Sequence, residues 1–584
     1  MTRHNAFIFA ASLILLAIAA FGQATIGSPV PPDNEIHKIL ADRIGPENLG
    51  IALVVGVIDA KGRRVVAYGS LAKDDRRPLN GDTIFEIGSI TKVFTSLVLM
   101  DMVQKGEVAV TDPVSKYLPA SVKVPERNGK NITLQDLSTQ SSGLPRMPEN
   151  FHPKDPLNPF ADYSVDQLYE FISGYQLTRD IGSLYEYSNL GFGLLGHVLA
   201  LRAGTDYASM VKSRILDPLG MKDTSVVLTP EMKARLAIGH GPGQNAVPNW
   251  DLSEAMAGAG ALRSSTNDML TFLAANLGYI ETPLAAAMAE EISIRRPAVS
   301  PDLQIAYAWH VQTKNGNSII SHDGGTGGYR TYMGFDPKTR AGVVVLSNVF
   351  TTAGPDDIGR HLLDASYPLE KVEPLKEHTE VAIDTKVFDN YVGTYQLTPN
   401  AIMTISREGD QLFEQLTGQQ KLQLFPESEG TFFLKVVDAQ LTFDTDAQGK
   451  ATQVTLHQNG TDMVAKRMDE GQASAVAAAQ AKRIKDQTPA PGGEAALRRN
   501  IDEVRRGQPN YDLMSPALAA LTRQQLPQIQ ALLTQLGAVE SVAFKSVGPS
   551  GADVYEVKFE HGSTEWRIVL DLDGKVAGLG FRPL

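Results

Sequence analysis

The sequence predicts an α/β protein of the α+β type. An antiparallel sheet with a helical lobe is expected first, followed by a small antiparallel β domain and a small α+β domain. Strand-like segments at residues 50–69 and 318–347 flank a helical middle, so the early and late strands are expected to pair in one sheet. Short alternating strands with turn signals fill residues 381–468. A chain of 584 residues is also long enough for several folded units.

Changes of composition set the expected domain boundaries. We expect a signal peptide at residues 1–24, a first domain at 30–370, the β domain at 381–468, a linker at 472–494 and the α+β domain at 495–584. The linker is rich in Ala, Gln and Pro, which is typical of a helical tether followed by a flexible break.

The N-terminal segment has the layout of a secretory signal. Arg3 and His4 precede an apolar run at residues 6–21, and small residues follow at 22–24. The alternative is an uncleaved anchor, but the apolar run is shorter than the ~20 residues that span a bilayer. We therefore expect export with cleavage, a periplasmic or secreted location, and no stable membrane span after cleavage.

Composition argues against several classes of function. The 54 basic and 66 acidic residues give a net charge of −12, which disfavours a nucleic-acid-binding surface. The chain has no cysteine, so disulfides, thiolate metal sites and cysteine nucleophiles are excluded. The histidines are scattered, and no metal site or cofactor is expected.

The chemistry is expected at Ser89 and Lys92. A run with Val93, Leu97 and Met100 at helical spacing follows Ser89, which predicts a buried helix with Ser89 in its first turn. Residues three apart share a helix face, so the Lys92 amine can lie beside the Ser89 hydroxyl. A lysine desolvated among apolar neighbours can act as the base that a serine nucleophile needs.

Ser-x-x-Lys alone is a weak signal, because it occurs twice more in the chain. Ser70 and Lys73 follow a strand and run into acidic residues, which is typical of a solvated turn. Ser209 and Lys212 belong to a mixed polar and apolar pattern that indicates a surface helix. Only the copy at Ser89 enters a long apolar helix.

The sequence around Ser89 resembles the penicillin-recognising serine hydrolases, which include class C β-lactamases, DD-peptidases, D-aminopeptidases and family VIII esterases. The resemblance covers about residues 35–365 and rests on motifs in the family's order. These are FEIGSITK at 85–92, DPVSKYLP at 112–119, ITLQDL at 132–137, SGLP at 142–145, Tyr187-Ser188-Asn189 and His322-Asp323-Gly324. The resemblance implies a β-lactamase/transpeptidase-like fold.

Roles for the motif residues follow from the resemblance and from acyl-transfer chemistry. Ser89 is the expected nucleophile, and Lys92 and Tyr187 both remain candidates for the general base. The resemblance implies that Asn189 orients a substrate amide and that the N–H groups of Ser89 and Gly325 form an oxyanion hole. Four glycines follow Asp323 within five positions, and such glycines mark close approach of a backbone or ligand, so Gly324 is also expected to bind substrate.

His322 is the main departure from the β-lactamase pattern, which usually has Lys at this position. We expect His322 to bind substrate. The hypothesis is that its protonated ring supports both a substrate carboxylate and a lowered pKa of Tyr187. Arg263, in a turn that relatives carry at the cleft edge, is a further candidate for substrate contact.

Gly191-Phe192-Gly193-Leu194-Leu195-Gly196 matches the dinucleotide-binding fingerprint by letter. No apolar strand precedes it, so we interpret these glycines as allowing a helix to pack closely behind Tyr187. Residues 381–468 resemble the lipocalin-like C-terminal module of some peptidase relatives.

Two classes of function remain at the level of sequence. The first is a serine hydrolase that forms and hydrolyses a Ser89 acyl-enzyme on β-lactams, D-amino-acid peptides or small esters. The second is a penicillin-binding sensor that is acylated without turning over. The expected partners are small-molecule or peptide substrates, and the oligomeric state stays open.

Overall fold

The computed structural model describes residues 30–45, 51–177, 179–241, 244–298, 302–351, 354–370, 378–398, 401–416, 421–435, 439–458, 461–469, 471, 478–479, 482–548, 551–571 and 574–583. The expected signal peptide and residues 472–477 and 480–481 of the expected linker lie outside this part of the chain. Among the described residues, no helix combines the length and the apolar character needed to cross a membrane.

The first unit contains the predicted antiparallel sheet built from both ends of the domain. Its eight strands lie in the order β2-β1-β12-β11-β10-β9-β8-β7. Their bounds are Ala52–Asp59 (β1), Gly62–Gly69 (β2), Arg296–Pro297 (β7), Leu303–Ile305 (β8), His310–Lys314 (β9), Asn317–Gly325 (β10), Arg330–Asp336 (β11) and Ala341–Ser347 (β12). Strand β1 pairs with β12, which confirms that early and late strands share one sheet.

Two short ribbons complete the strands of this unit. Ile84–Glu86 (β3) pairs with Arg263–Ser265 (β6), and Glu126–Arg127 (β4) pairs with Lys130–Asn131 (β5). Strand β3 leads directly into the segment that carries Ser89.

Helices cover the sheet and form the second lobe. The α-helices of this unit are Asp33–Ile44 (α1), Thr91–Gln104 (α2), Leu134–Ser138 (α3), Val165–Gly174 (α4), Asn189–Ala203 (α5), Tyr207–Val211 (α6), Asp217–Leu219 (α7), Pro230–Ala234 (α8), Ala257–Gly260 (α9), Thr266–Asn276 (α10), Ala285–Glu291 (α11) and Pro355–Leu363 (α12). A π-helical turn, Lys212–Leu216, joins α6 to α7, and 3-10 turns span Gly88–Ile90 and Val114–Tyr117.

Strand alternation places two hydrophobic cores on opposite faces of the sheet. Leu53, Val55 and Val57 of β1 pack with α1 and α12. Val54 and Ile58 face the larger core, which contains α2, α5 and α10. Every residue of β1 is buried, as expected for a central strand with helices on both faces.

The second unit is a closed eight-stranded antiparallel barrel. Its elements are Thr385–Val387 (3-10), Phe388–Tyr391 (α13), Gly393–Thr398 (β13), Ala401–Glu408 (β14), Gln411–Leu416 (β15), Leu422–Pro426 (β16), Thr431–Phe433 (β17), Ala439–Thr445 (β18), Ala451–Gln458 (β19) and Thr461–Met468 (β20). Pairing of β13 with β20 closes the barrel and removes its free edges. Its interior holds an aromatic cluster that includes Tyr391, Tyr395, Phe432 and Phe443.

The third unit packs two helices on a four-stranded antiparallel sheet. The elements are Gly493–Arg505 (α14), Tyr511–Leu513 (3-10), Pro516–Leu536 (α15), Val539–Val547 (β21), Asp553–Phe559 (β22), Gly562–Leu570 (β23) and Val576–Pro583 (β24). Residues 483–490, which the sequence placed in the linker, are attached to this sheet. Arg483 Nη2 lies 2.6 Å from Asp553 Oδ1, and the Ala490 N–H donates to Asp553 Oδ2 at 2.8 Å.

Candidate active site

Ser89 lies in the 3-10 turn between β3 and α2, where two glycines allow β10 to approach the chain closely. Gly88 has φ +50°, and a Cβ there would stand 2.7 Å from the Gly325 amide nitrogen. A Cβ on Gly324 would stand 2.1 Å from the Ile87 carbonyl oxygen. Glycine is therefore required at both positions, and the amide of Gly325 is brought beside the turn that carries Ser89.

Lys92 is directed at Ser89, as the sequence predicts. Its Nζ lies 2.9 Å from Ser89 Oγ and donates to the Ala259 carbonyl at 2.7 Å. The side chain is fully buried in α2, and burial lowers the pKa of Lys92 well below its ordinary value. The positive charge of Arg146 lowers this pKa further, while Asp323 opposes the shift. The neutral amine is thereby favoured beside the hydroxyl.

The Ala259 carbonyl is held in place by the glycines of α5. A Cβ on Gly193 would lie 2.5 Å from the Ala255 carbonyl oxygen, and one on Gly196 would lie 2.8 Å from Gly258 Cα. These glycines let α5 pack against the segment that contains α9. The glycines at 191–196 therefore allow close helix packing. Through that packing they position the Ala259 carbonyl, which accepts a hydrogen bond from Lys92.

Tyr187 is the second group at Ser89. Its hydroxyl hydrogen-bonds the Ser89 side chain, and its ring centroid lies 4.9 Å from Lys92 Nζ. Burial raises the pKa of Tyr187 above its ordinary value; the hydrogen bond to Ser89 and the charge of Arg146 offset only part of that effect. The phenol therefore stays protonated at neutral pH, in contrast to the lowered pKa that the sequence hypothesis required.

His322 lies close to Tyr187, but its environment does not support the hypothesis of a protonated ring. The two ring centroids are 6.4 Å apart, and His322 also stacks on His310 at 5.1 Å. Burial, reinforced by the neighbouring His310, holds the pKa of His322 well below its ordinary value despite the charge of Asp323. Neutral His322 is the favoured form because burial disfavours a charged ring at this position.

Asp323 brings a negative charge to the same region. Its carboxylate lies 3.6 Å from Arg330 Nη1 and is partly exposed. Burial raises the pKa of Asp323, but its neighbours, with Arg330 and Arg360 as the permanent cations, hold the pKa below its ordinary value. Asp323 is thus ionised at neutral pH.

Asn189 starts α5 two residues after Tyr187, with its Nδ2 3.8 Å from Met147 Sδ. The expected site residues Ser89, Lys92, Tyr187, His322, Gly324 and Gly325 come together around the turn at Gly88–Ile90.

Arg263 does not join them. It is buried and binds Asp251 at 3.1 Å and the Trp250 carbonyl, so its contacts lie within the protein and a substrate contact stays a prediction.

Sequence reasoning missed three neighbours of this site. They are the Ala259 carbonyl, His310 and Arg146, whose guanidinium lies 4.9 Å from the Tyr187 ring centroid. Arg146 directly follows the motif at residues 142–145, and that adjacency was the one signal available. His310 and Ala259 reach the site only through tertiary packing.

The β-lactamase family profile matches residues 48–366, which is more than half of the chain. The chain belongs to the β-lactamase family. A domain of unknown function, DUF3471, matches residues 377–470, and this is the region that forms the barrel.

Several proteins are similar to half or more of the chain. The D-alanyl-D-alanine-carboxypeptidase/endopeptidase AmpH of Escherichia coli is 31% identical over 54% of this chain and 83% of its own length. Penicillin-binding protein 4* of Bacillus subtilis is 27% identical over 68% of this chain and 90% of its own. The solved β-lactamase/D-alanine carboxypeptidase of Yersinia pestis is 25% identical, with a TM-score of 0.50, over 58% of this chain and 99% of its own. The protein is therefore a serine hydrolase related to DD-carboxypeptidases and β-lactamases.

Proposed function

We propose that this protein is an exported hydrolase that forms a Ser89 acyl-enzyme on β-lactams or D-amino-acid peptides. One observation carries the proposal: a fully buried lysine amine lies 2.9 Å from the Ser89 hydroxyl. The related carboxypeptidase and penicillin-binding protein support the substrate class. Export rests on the N-terminal segment alone.

In the proposed reaction, neutral Lys92 accepts the Ser89 proton as Oγ attacks the substrate carbonyl. The N–H groups of Ser89 and Gly325 stabilise the resulting oxyanion, a contribution of ~3 kcal/mol per donor in comparable sites. The proton then passes to the leaving nitrogen or oxygen as its bond to the carbonyl carbon breaks. Water attacks the acyl-enzyme in the second half-reaction and restores Ser89.

Between the two candidate bases, the directions of the pKa shifts favour Lys92. Burial lowers the pKa of Lys92, which yields a neutral amine, and raises the pKa of Tyr187, which keeps its phenol protonated. We assign Tyr187 the role of proton donor and carrier between Ser89 and the leaving group. Asn189, His322 and Gly324 are assigned to substrate binding.

A second candidate is hydrolysis of small acyl esters. The observation that favours it is the neutral His322, which replaces the lysine usual in β-lactamases and removes one positive charge from the site. The resemblance of the barrel to lipocalin-like modules of peptidase relatives supports the peptidase assignment instead. A non-turning-over penicillin sensor is the remaining alternative.

A burst-and-turnover assay tests the proposal. Purified protein without residues 1–24 is mixed with a chromogenic cephalosporin, a p-nitrophenyl ester and a D-Ala-D-Ala peptide, each in parallel with Ser89→Ala. Steady turnover of the cephalosporin or the peptide, lost in Ser89→Ala, is the expected result. Turnover of the ester alone would favour the esterase, and a stoichiometric burst without turnover would favour the sensor.

A further inference from the structure

Arg146 presents an exposed guanidinium next to the catalytic groups. Its Cζ and Lys92 Nζ each lie 4.9 Å from the Tyr187 ring centroid, and the Tyr187 hydroxyl hydrogen-bonds Ser89. A group bound to Arg146 would therefore lie beside the same tyrosine that hydrogen-bonds Ser89. A substrate attached at Ser89 can extend along that tyrosine.

The backbone of Arg146 is fixed to the Tyr187 motif. The Arg146 carbonyl accepts hydrogen bonds from the N–H groups of Asn189 at 3.0 Å and Leu190 at 3.3 Å, which start α5. Ser188 Oγ donates to the Pro145 carbonyl at 2.6 Å. The bonds from Asn189 and Leu190 satisfy N–H groups that a helix start would leave without partners. They also hold the loop of Arg146 in one position against the site.

The charge of Arg146 has no neutralising partner in the part of the chain that the structure describes. Within the described ranges, no carboxylate lies within ion-pair distance of the Arg146 side chain. The nearby carboxylates have other partners: Glu186 pairs with Arg179, and Asp323 with Arg330. A guanidinium offers five donors in a planar fork that matches a carboxylate, so its free edge is a ready site for one.

We propose that Arg146 is a specificity-determining residue that binds a carboxylate of the substrate on the Tyr187 and Asn189 side of Ser89. This inference rests on the proposed serine hydrolase function and adds to it a preference for acidic acyl donors. Stacking on the Tyr187 ring leaves the guanidinium edge available, because a cation over an aromatic face keeps its in-plane N–H groups.

The rival role for Arg146 is purely electrostatic. Its charge lowers the pKa of Lys92, so it could act on the base alone and favour every substrate equally. The two roles differ in their readouts. Carboxylate binding changes KM for acidic substrates only, whereas tuning of Lys92 changes kcat and the pH profile for all substrates.

Two p-nitrophenyl esters separate these roles. One is the ester of N-succinyl-D-alanine, which carries a free carboxylate, and the other is its succinamide isostere, which is neutral. Values of kcat/KM are measured for wild type, Arg146→Gln and Arg146→Lys on the plateau of each variant's own pH profile. Arg523→Gln is the matched control, because Arg523 also stacks on a tyrosine, at 4.1 Å from the Tyr511 ring, in the C-terminal unit.

We expect wild type to favour the acidic ester by about 10-fold, the discrimination typical of a charge-assisted hydrogen bond. Arg146→Gln should abolish this preference through a higher KM, with less than about a 3-fold change for the neutral ester. Arg146→Lys keeps the positive charge and should retain part of the preference. A folded Arg146→Lys with partial preference shows that the loss in Arg146→Gln comes from the missing cation and not from misfolding. Arg523→Gln should behave as wild type.

Equal losses for both esters in Arg146→Gln, or no preference in wild type, would overturn the proposal. Hydrolysis that persists in Ser89→Ala would instead show that the underlying hydrolase assignment fails. The failure of the specificity inference and the failure of the proposed function are thus distinguished in one set of proteins.

Discussion

The Lys92 amine nitrogen lies 2.7 Å from the Ala259 carbonyl oxygen, and this contact links the proposed catalytic centre to the glycines of α5. Ala259 lies in α9, directly after Gly258. A Cβ on Gly196 of α5 would lie 2.8 Å from Gly258 Cα, so the two helices pack backbone against backbone. The acceptor that orients Lys92 is therefore set by how closely two helices approach.

Gly196→Ala should disturb this arrangement. The added Cβ would stand 2.8 Å from Gly258 Cα, so α9 must shift. We expect the free energy of unfolding to fall by about 1–3 kcal/mol, the usual cost of overpacking, with a lower acylation rate. Gly174→Ala is the control, because a Cβ there meets nothing within 4 Å. Equal behaviour of the two variants in denaturant unfolding and burst kinetics would refute the link.

Removal of the Lys92 amine should slow acylation far more than removal of the other two lysines in Ser-x-x-Lys runs. We expect Lys92→Met to reduce the burst rate by roughly 10²–10⁴, the range for a lost general base. Lys73→Met and Lys212→Met should remain within a factor of two. Stopped-flow acylation measures all three, and a small effect of Lys92→Met would transfer the role of base to Tyr187.

The pH dependence of acylation should report the charges around Lys92. Lys92 acts as a base only when neutral, so activity is expected to fall as pH decreases through its lowered pKa. The Asp323 carboxylate raises the pKa of Lys92, so Asp323→Asn should move this acid limb to lower pH. Asp42→Asn, on the exposed side of α1, is the control. A shift to higher pH in the profile of kcat/KM would contradict the assignment.

The close approach of Gly88 to Gly325 predicts the behaviour of the proposed oxyanion site. Gly88→Ala should lower kcat by about 10²–10³, as for the loss of one oxyanion donor, because its Cβ would displace the Gly325 amide. Gly106→Ala provides the control. Gly106 also has positive φ, +68°, but a Cβ there meets nothing within 4 Å. A similar kcat for both variants would mean that backbone strain alone explains the loss.

A buried carboxyl in the core predicts a pH effect on stability. Glu291 is fully buried near Trp309, and burial raises its pKa well above the ordinary value. The folded protein then holds a proton that the unfolded chain releases, so stability falls as pH rises from the unfolded pKa of about 4.3 towards the folded one. We expect Glu291→Gln to flatten this decline in thermal midpoint, whereas exposed Glu290→Gln should not. Parallel curves for Glu291→Gln and wild type would contradict the prediction.

Local sequence patterns were enough to predict the helix and the sheet that carry the site. The apolar helical spacing after Ser89 and the strand-like runs at both ends of the domain are properties of neighbouring residues, and the structure confirms α2 and the shared sheet. The pairing of Lys92 with Ser89 follows from one helical turn. These features need no knowledge of distant contacts.

The remaining features depend on contacts that a single sequence does not display. His310 reaches His322 because β9 pairs with β10 in a register that sets His310 opposite Ser321. The pKa of His322 then falls because of burial and a second imidazole, which removes the positive charge expected from the motif. Closure of the barrel likewise requires β13 to meet β20, two strands far apart in the chain.

Acid-quenched mass spectrometry identifies the residue that is acylated. The protein without residues 1–24 is exposed briefly to a cephalosporin, a p-nitrophenyl ester or a D-Ala-D-Ala peptide, denatured in acid and digested. We expect a single acyl adduct on the peptide that contains Ser89, absent from Ser89→Ala. An adduct on Ser70 or Ser209, or one that persists in Ser89→Ala, would show that the reactive centre lies elsewhere.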